Sequence, residues 1–369
     1  MSKIKICLFM IVIFAFSFPQ TAFAQEDIIS QQLDNLDVSD IDQFIKDLNN
    51  KYGEIMPEQN IRQLIDRLRS EKSFDFRSFF KTLALYIFRE ISANFHLLGQ
   101  LIALSVVCAI LKNINEAFEN GSVSKITYSV VFLVLIIIAV QSFTMAIRAG
   151  QEAISDMVSF IQALMPTIFT LLVSIGNLTS VAVFNPLIFM GITAASTWIK
   201  DILLPIIFFS AVLGVVNNVT DRFKVSMLAS LLKQVCVFLL GLFLSIFLGV
   251  LVVQGAASAA VDGISIRTAK FASKNFIPIV GGIFSDTIDA IVGCSLILKN
   301  AIGITGMLVV LFITIYPIIK ILAIVFIYKL AGAIIQPIGE SSMVKCLDDM
   351  ANSLILIFIS VAAVAMMFF

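Results

Sequence analysis

Asp286 and Asp289 stand three residues apart inside a strongly apolar stretch, beside Gly281 and Gly282. In a helix this spacing places both carboxylates on one face. A charge at the centre of a bilayer costs roughly 3 kcal/mol on insertion scales, so such groups face protein or water. The pair predicts a protein-lined, partly hydrated cavity, and the alternative is a solvated helix end or outer loop.

Three lysines, Lys299, Lys320 and Lys329, also lie in apolar surroundings and join the aspartates as candidate polar-pathway or helix-contact residues. The alternative for the lysines is that their long stems let the ammonium groups reach the membrane interface. Lys200-Asp201 falls between two apolar stretches, where a turn is expected.

Residue types needed for most catalytic sites are scarce. His96 is the single histidine, which excludes a multi-histidine zinc site and H-E-x-x-H. The chain contains no P-loop motif and no C-x-x-C pair. We therefore predict no catalytic residues, metal or cofactor, and a protein that is not an enzyme. Without a basic patch, it is not expected to bind nucleic acid.

The composition is that of a membrane protein. Hydrophobic residues make up 59% of the 369 residues and charged residues 14%, against about 25% charged in soluble domains. Apolar stretches near spanning length begin at Phe95, and seven to ten spans are expected. The stretches are 95–111, 126–147, 157–175, 181–199, 202–217, 235–253, 276–298, 301–319, 321–338 and 351–369.

The amino-terminal part has a different character. Lys3 and Lys5, a short apolar core and a small-x-small site predict a cleavable signal peptide at residues 1–24. Residues 25–94 then form a polar extracytoplasmic segment of amphipathic helices, and residues 95–369 form the membrane domain. The amphipathic helices could pack on each other, which is the favoured reading, lie on the membrane face, or bind a partner.

An internal repeat is indicated by matches at a constant offset of about 112 residues. Pro166 recurs as Pro278, Pro205 as Pro317, and the Gly-Ile-Thr block 191–193 as 303–305. The copies would cover roughly residues 125–230 and 233–340, in parallel or inverted orientation. Transporter folds are commonly built from such repeats.

Basic residues allow a test of topology. An exported segment 25–94 places loops 112–125 and 218–234 in the cytoplasm, as the positive-inside rule requires. The same count places the basic residues of 255–275 outside, against the rule. Either a stretch upstream is re-entrant or 255–275 is held at the interface.

Several long segments carry a specific resemblance. They are "HLLGQLIALSVVCAILKNINEAFENGSVSKITYSVVFLVLIIIAVQSF", "VLGVVNN", "RTAKFASKNFIPIVGGIFSDTIDAIVGCSLILKNAIGITGM" and "IYKLAGAIIQPIGE". From about Phe95 onwards the chain resembles the stage III sporulation protein AE family of endospore-forming bacteria.

The resemblance implies a multi-pass subunit of the mother-cell membrane that surrounds the forespore. It implies work with other stage III sporulation A proteins and a forespore-side partner, in a channel or secretion-like complex that supports the forespore and its late gene expression. A homo-oligomer is compatible with it. The family supplies no catalytic residues. An independent secondary transporter and a scaffold without a pathway of its own are the alternatives.

Overall fold

The computed structural model describes residues 39–52, 76–117, 122–176, 181–182, 185–219, 225–276, 281–338 and 341–369. Within these ranges the side chains of 256–276, 281–290 and some helix ends are not described. The regular secondary structure in these ranges is helical, which confirms the all-α prediction. The α-helices are α1 (Ser39–Tyr52), α2 (Phe76–Ala93), α3 (Phe95–Ala117), α4 (Ser122–Ile175), α5 (Asn185–Trp198), α6 (Leu204–Val219), α7 (Ser226–Phe276), α8 (Gly281–Ile335) and α9 (Ser341–Phe368). A π-helical turn (Ile199–Leu203) joins α5 to α6, and a 3-10 turn (Gln336–Ile338) follows α8.

The described residues contain six helical stretches that are long and apolar enough to cross a membrane. They are Phe80–Leu111, Ser129–Ile175, Asn185–Asn218, Ser226–Gly255, Ile291–Ile338 and Ser342–Phe368. Six is fewer than the seven to ten spans expected from the sequence, because several of the ten apolar stretches fuse into single helices.

Two prolines lie inside long helices without ending them. Pro166 lies inside the 54-residue α4 and Pro317 inside the 55-residue α8. In a helix interior proline removes one backbone hydrogen bond and bends the helix, and neighbouring helices satisfy the freed group in a bilayer. Helix α4 ends at Ile175, and the Gly176 that follows has a φ of 88°, which favours glycine.

Helices α4 and α8 form a long antiparallel pair. Ser142 is hydrogen-bonded to Tyr328, and Met157 accepts a hydrogen bond from Thr314. The two contacts show that α4 and α8 run in opposite directions. Each helix is about 80 Å long at 1.5 Å per residue, which is more than one crossing of the ~30 Å hydrocarbon core needs.

Burial divides the bundle into a centre and a periphery. The most apolar windows of α8 and α9 are each 61% buried, whereas that of α7 is 11% buried. Helix α9 contacts α4, α6 and α8, and α7 packs mainly on α6. Helices α2 and α3 lie against α8, with Tyr86 of α2 next to Tyr316 of α8. One side of α7 therefore remains largely open.

Helix α1 packs on α4 and α8. Its apolar face, Ile41, Ile45 and Leu48, is buried, and Phe44 lies 5.5 Å from Phe160 of α4 between ring centroids. The next amphipathic segment expected from the sequence, starting at Pro57, lies outside the described residues up to residue 75.

The repeat stays a prediction. Pro205 stands at the second position of α6, directly after the π turn, and Pro317 lies within α8. Pro166 is inside α4, while Pro278 lies outside the described residues.

Candidate functional site

Asp286 and Asp289 lie in the first turns of α8, so the backbone there is helical, as the spacing argument requires. Their side chains lie outside the description. Their role in a polar pathway therefore stays a prediction.

The three candidate lysines differ in their surroundings. Lys299 and Lys320 are half-buried on α8. Lys329 forms a salt bridge with Asp348 of α9 and donates a hydrogen bond to Asn352 Oδ1 at 3.0 Å. Asn352 in turn donates to Asp348 Oδ2 at 2.9 Å. The structure thus places Lys329 in a polar contact between α8 and α9.

Asp349 connects α9 to two further helices. Its Oδ2 atom accepts a hydrogen bond from Asn218 Nδ2 of α6 at 3.2 Å, and its Oδ1 atom lies 3.6 Å from Lys233 Nζ of α7. Gly214 of α6 lies beside this carboxylate, and a Cβ built there would be in ordinary van der Waals contact with it, at 3.6 Å. A charged side chain before the apolar part of α9 therefore ties three helices together.

A second polar group surrounds the π turn between α5 and α6. Lys200 Nζ donates to Ser155 Oγ of α4 at 3.3 Å and lies 3.7 Å from Asp201 Oδ1. Gln151 of α4 donates to the Lys200 carbonyl oxygen at 3.3 Å. The turn expected at Lys200-Asp201 is wrong, since both residues lie inside one helical stretch.

The π turn has a local cause and a familiar context. Pro205 has no N–H to donate to the carbonyl of residue 201 in an α-helix, and its ring would clash with that carbonyl. A π turn directly before the proline changes that geometry. Single π turns inside helices are frequent at functional sites, which draws attention to the polar groups around this one.

Helix α1 completes this polar group. Lys51 Nζ lies 2.8 Å from Asp156 Oδ2 and 3.7 Å from Glu152 Oε2, both on α4. Next to these ion pairs is an open cavity of about 340 Å³, which we call the polar recess. Its lining residues are Gln151, Glu152, Ser155, Asp156, Lys200 and Asp201.

Most of these residues were not predicted from the sequence. Glu152 and Asp156 are four residues apart and therefore lie on one helical face. They fall between the apolar stretches 126–147 and 157–175, where a boundary between two spans was expected. Asp348 and Asn352 have the same spacing just before the last apolar stretch. Four-residue spacing of polar groups between apolar stretches was the available signal in both places.

The described side chains also include four buried free cysteines, Cys108, Cys236, Cys294 and Cys346. Among the side chains that the structure describes, no three His, Cys, Asp or Glu groups come together as ligands for a metal ion. The polar chemistry seen in these ranges consists of ion pairs and hydrogen bonds between helices.

Six helical stretches among the described residues are long and apolar enough to cross a membrane, and polar contacts join them. This combination is that of a multi-pass helical membrane protein. The family model of stage III sporulation protein AE matches residues 59–369. Stage III sporulation protein AE of Bacillus subtilis (strain 168) is 42% identical over 344 residues, covering 93% of this chain and 86% of that protein. No solved structure matches the chain.

The chain therefore belongs to the stage III sporulation protein AE family, as the sequence resemblance indicated. Membership in this family implies a role in sporulation.

Proposed function

We propose that this protein is a non-enzymatic membrane subunit of a channel or secretion-like complex between the mother cell and the forespore. It would reside in the mother-cell membrane around the forespore and work with other stage III sporulation A proteins and a forespore-side partner. Residues 25–94 would lie in the space between the two cells. The complex would support the forespore and its late gene expression.

The observation that carries this proposal is the family match across residues 59–369, which includes all six candidate spans. The polar recess and the contacts of Asp348 and Asp349 add to it, because charged groups among apolar helices mark solute pathways or specific helix contacts. The described polar groups, which pair across helices, fit a pathway or contact role better than a catalytic one.

An independent secondary transporter is the second candidate. The repeat at an offset of 112 residues and the charged residues in apolar helices favour it. A scaffold without its own pathway is the third, and the docked, exported α1 would then serve only to recruit partners.

Affinity purification from sporulating cells tests the proposal. The tagged full chain should bring down other stage III sporulation A proteins, while a tagged, unrelated multi-pass protein of the same membrane should not. Recovery of the chain without these proteins, together with normal function in their absence, would favour the independent transporter. If a chain with the polar recess residues substituted still copurifies with these proteins, and the forespore develops normally, the scaffold is favoured.

A further inference from the structure

The π turn between α5 and α6 lies inside a single apolar span, Asn185–Asn218. Its geometry is defined by the hydrogen bond that the Leu204 N–H donates to the Ile199 carbonyl oxygen, five residues back. In an α-helix this bond would reach four residues back. Pro205 follows directly and has no N–H. One carbonyl of the preceding turn is therefore left without a backbone donor.

The hydrogen-bond register of the turn decides which carbonyl this is. In an α-helix the donor to the Asp201 carbonyl would belong to residue 205, so Asp201 would lack one. In the π turn residue 205 is instead the expected donor to the Lys200 carbonyl. The Leu204 N–H, which would serve Lys200 in an α-helix, is already bonded to Ile199. The π turn thus moves the missing donor from Asp201 to Lys200.

Helix α4 supplies a donor at this carbonyl. The half-buried Gln151 donates from Nε2 to the Lys200 carbonyl oxygen at 3.3 Å. Such a bond matters because an unpaired carbonyl inside a membrane-spanning bundle is costly. One turn further along α4, Ser155 Oγ accepts a hydrogen bond from Lys200 Nζ at 3.3 Å. Lys200 is therefore held by α4 at its carbonyl and at its ammonium group.

Helices α5 and α6 differ in how firmly they are packed. Only Ile192 and Ser196 are buried among the 14 residues of α5, while Leu187 and Met190 are 61% and 67% exposed. Helix α6 packs on α7 and α9. Its buried residues include Leu204, Ile207, Ser210, Ala211 and Val215. Packing therefore fixes α6, and the orientation of α5 depends on the turn.

A return of the turn to α-helical hydrogen bonding would rotate α5 against α6 by ~100°, the angle of one residue in an α-helix. Trp198 immediately precedes the turn, and its ring centroid lies 4.7 Å from that of Phe243 on α7. The rotation would separate these two rings. It would also alter an open apolar groove of about 620 Å³, whose lining residues all lie between Pro186 and Ile202, on α5 and the turn.

We propose that Gln151 is the positioning residue that holds the α5–α6 span in the π register. Its amide group takes the place of the N–H that Pro205 lacks, so one hydrogen bond from α4 sets the orientation of α5 against α7. When that bond is lost, the turn goes over to α-helical bonding and α5 rotates. This latch is a property of the single chain and adds to the proposed function a point at which α4 controls the groove on α5.

Fluorine NMR of the purified full chain in lipid nanodiscs tests the latch. Trp198 is the single tryptophan, so incorporation of 5-fluorotryptophan labels the end of α5 at one position. Two registers that exchange slowly give separate resonances, because the ring leaves Phe243 in one of them, and the peak areas give the populations. The variants are Gln151→Met, which keeps the side-chain length without a donor, Pro205→Ala, which restores the backbone N–H, and the two combined.

Gln151→Met should raise the ratio of the α-register resonance to the π-register resonance about tenfold, equivalent to ~1.4 kcal/mol. In the Pro205→Ala background the same substitution should leave the ratio unchanged, because the Lys200 carbonyl then has a backbone donor in either register. Ser155→Ala is the matched control. It removes the contact with Lys200 Nζ one turn away, leaves the carbonyl contact in place and should not change the ratio.

Three results would overturn the latch. They are an unchanged ratio in Gln151→Met, an equal change with and without Pro205→Ala, and an effect of Ser155→Ala as large as that of Gln151→Met. If Gln151→Met alone does not fold, Pro205→Ala should restore the folded chain, and an unfolded double variant would also contradict the proposal. The measurement uses the chain without partners, so copurification tests the proposed function separately.

Discussion

At the scale of single residues, buried polar contacts join helices that are distant in sequence. Tyr328 of α8 is fully buried, and its hydroxyl donates to the Ala139 carbonyl oxygen at 2.6 Å. The same hydroxyl is 2.5 Å from Ser142 Oγ. This contact is one of few polar links inside an apolar helix pair, so it defines the register of α4 against α8.

We expect Tyr328→Phe to lower the free energy of unfolding by about 1 kcal/mol, the usual net value of one hydrogen bond. Ser142→Ala should cost a similar amount. The double variant should cost less than the sum, because both changes remove the same contact. Unfolding in detergent micelles measures the cycle, and strict additivity would contradict the contact.

Asp349 offers a second test at this scale. Asp349→Ala removes the acceptor of Asn218 and leaves Lys233, whose side chain is 23% exposed, without its carboxylate partner. Since Asp349 is 40% exposed, solvent screening limits the loss to about 1 kcal/mol. Lys345→Ala, at an exposed position of the same helix, is the control. If both variants change the free energy of unfolding by the same amount, the three-helix contact is contradicted.

At the scale of elements, α4 and α8 are tightly packed at a glycine. A Cβ at Gly306 of α8 would lie 3.0 Å from Leu164 Cδ2, whereas a Cβ at Gly303 would meet nothing within 4 Å. Both glycines lie in the same helix, one turn apart. Substitutions at these two glycines therefore separate the effect of packing from the change in helix propensity that follows when any glycine is replaced.

Gly306→Val should therefore destabilise the protein by about 1–3 kcal/mol through overpacking. Gly303→Val, which has the same helix propensity change, should have a small effect. Thermal unfolding of the purified variants and their abundance in membranes are the measurements. A loss of equal size at both positions would mean that the α4–α8 crossing is not tightly packed at Gly306.

At the scale of the whole molecule, two helix connections share one end of the bundle. Asp349 of α9 contacts residues near the α6–α7 connection, and Lys329 near the end of α8 contacts Asp348. The basic residues Arg222 and Lys224 belong to the same connection. By the positive-inside rule we expect this end to lie in the cytoplasm, whereas α1 packs much further along α4.

This arrangement predicts opposite accessibility for two exposed lysines. Lys46→Cys on α1 should react with an impermeant thiol reagent added outside intact mother cells stripped of their wall. Lys345→Cys at the start of α9 should react only after the membrane is permeabilised. The reverse pattern would overturn the topology and, with it, the export of residues 25–94.

One conflict in the sequence also belongs to this scale. The basic residues of 255–275 violated the positive-inside rule if outside, and a re-entrant stretch or an interfacial segment was expected. The structure continues α7 as one 51-residue helix to Phe276, and both alternatives stay predictions. At about 75 Å it is much longer than one span, so the region after Gly255 extends past the candidate span.

Composition and order of residues alone determined the class of this protein. The apolar runs, the shortage of charge and the specific segments from Phe95 onwards identified a multi-pass helical membrane protein and its family. These properties are local or linear, and burial of apolar surface in a bilayer requires helices from such runs. The presence of helices could therefore be predicted from the sequence, including the helical backbone at Asp286 and Asp289.

Only the tertiary structure decided where helices end and which charges meet. Local patterns do not tell whether Pro166 or Lys200-Asp201 interrupts a helix. The helix continues when neighbouring helices contact the backbone groups and side chains at that point, and those neighbours are distant in sequence. The decisive pairs lie far apart in sequence, with Lys51 and Asp156 separated by 105 residues and Asn218 and Asp349 by 131. Such pairs depend on helix packing, which the order of residues in one sequence does not reveal.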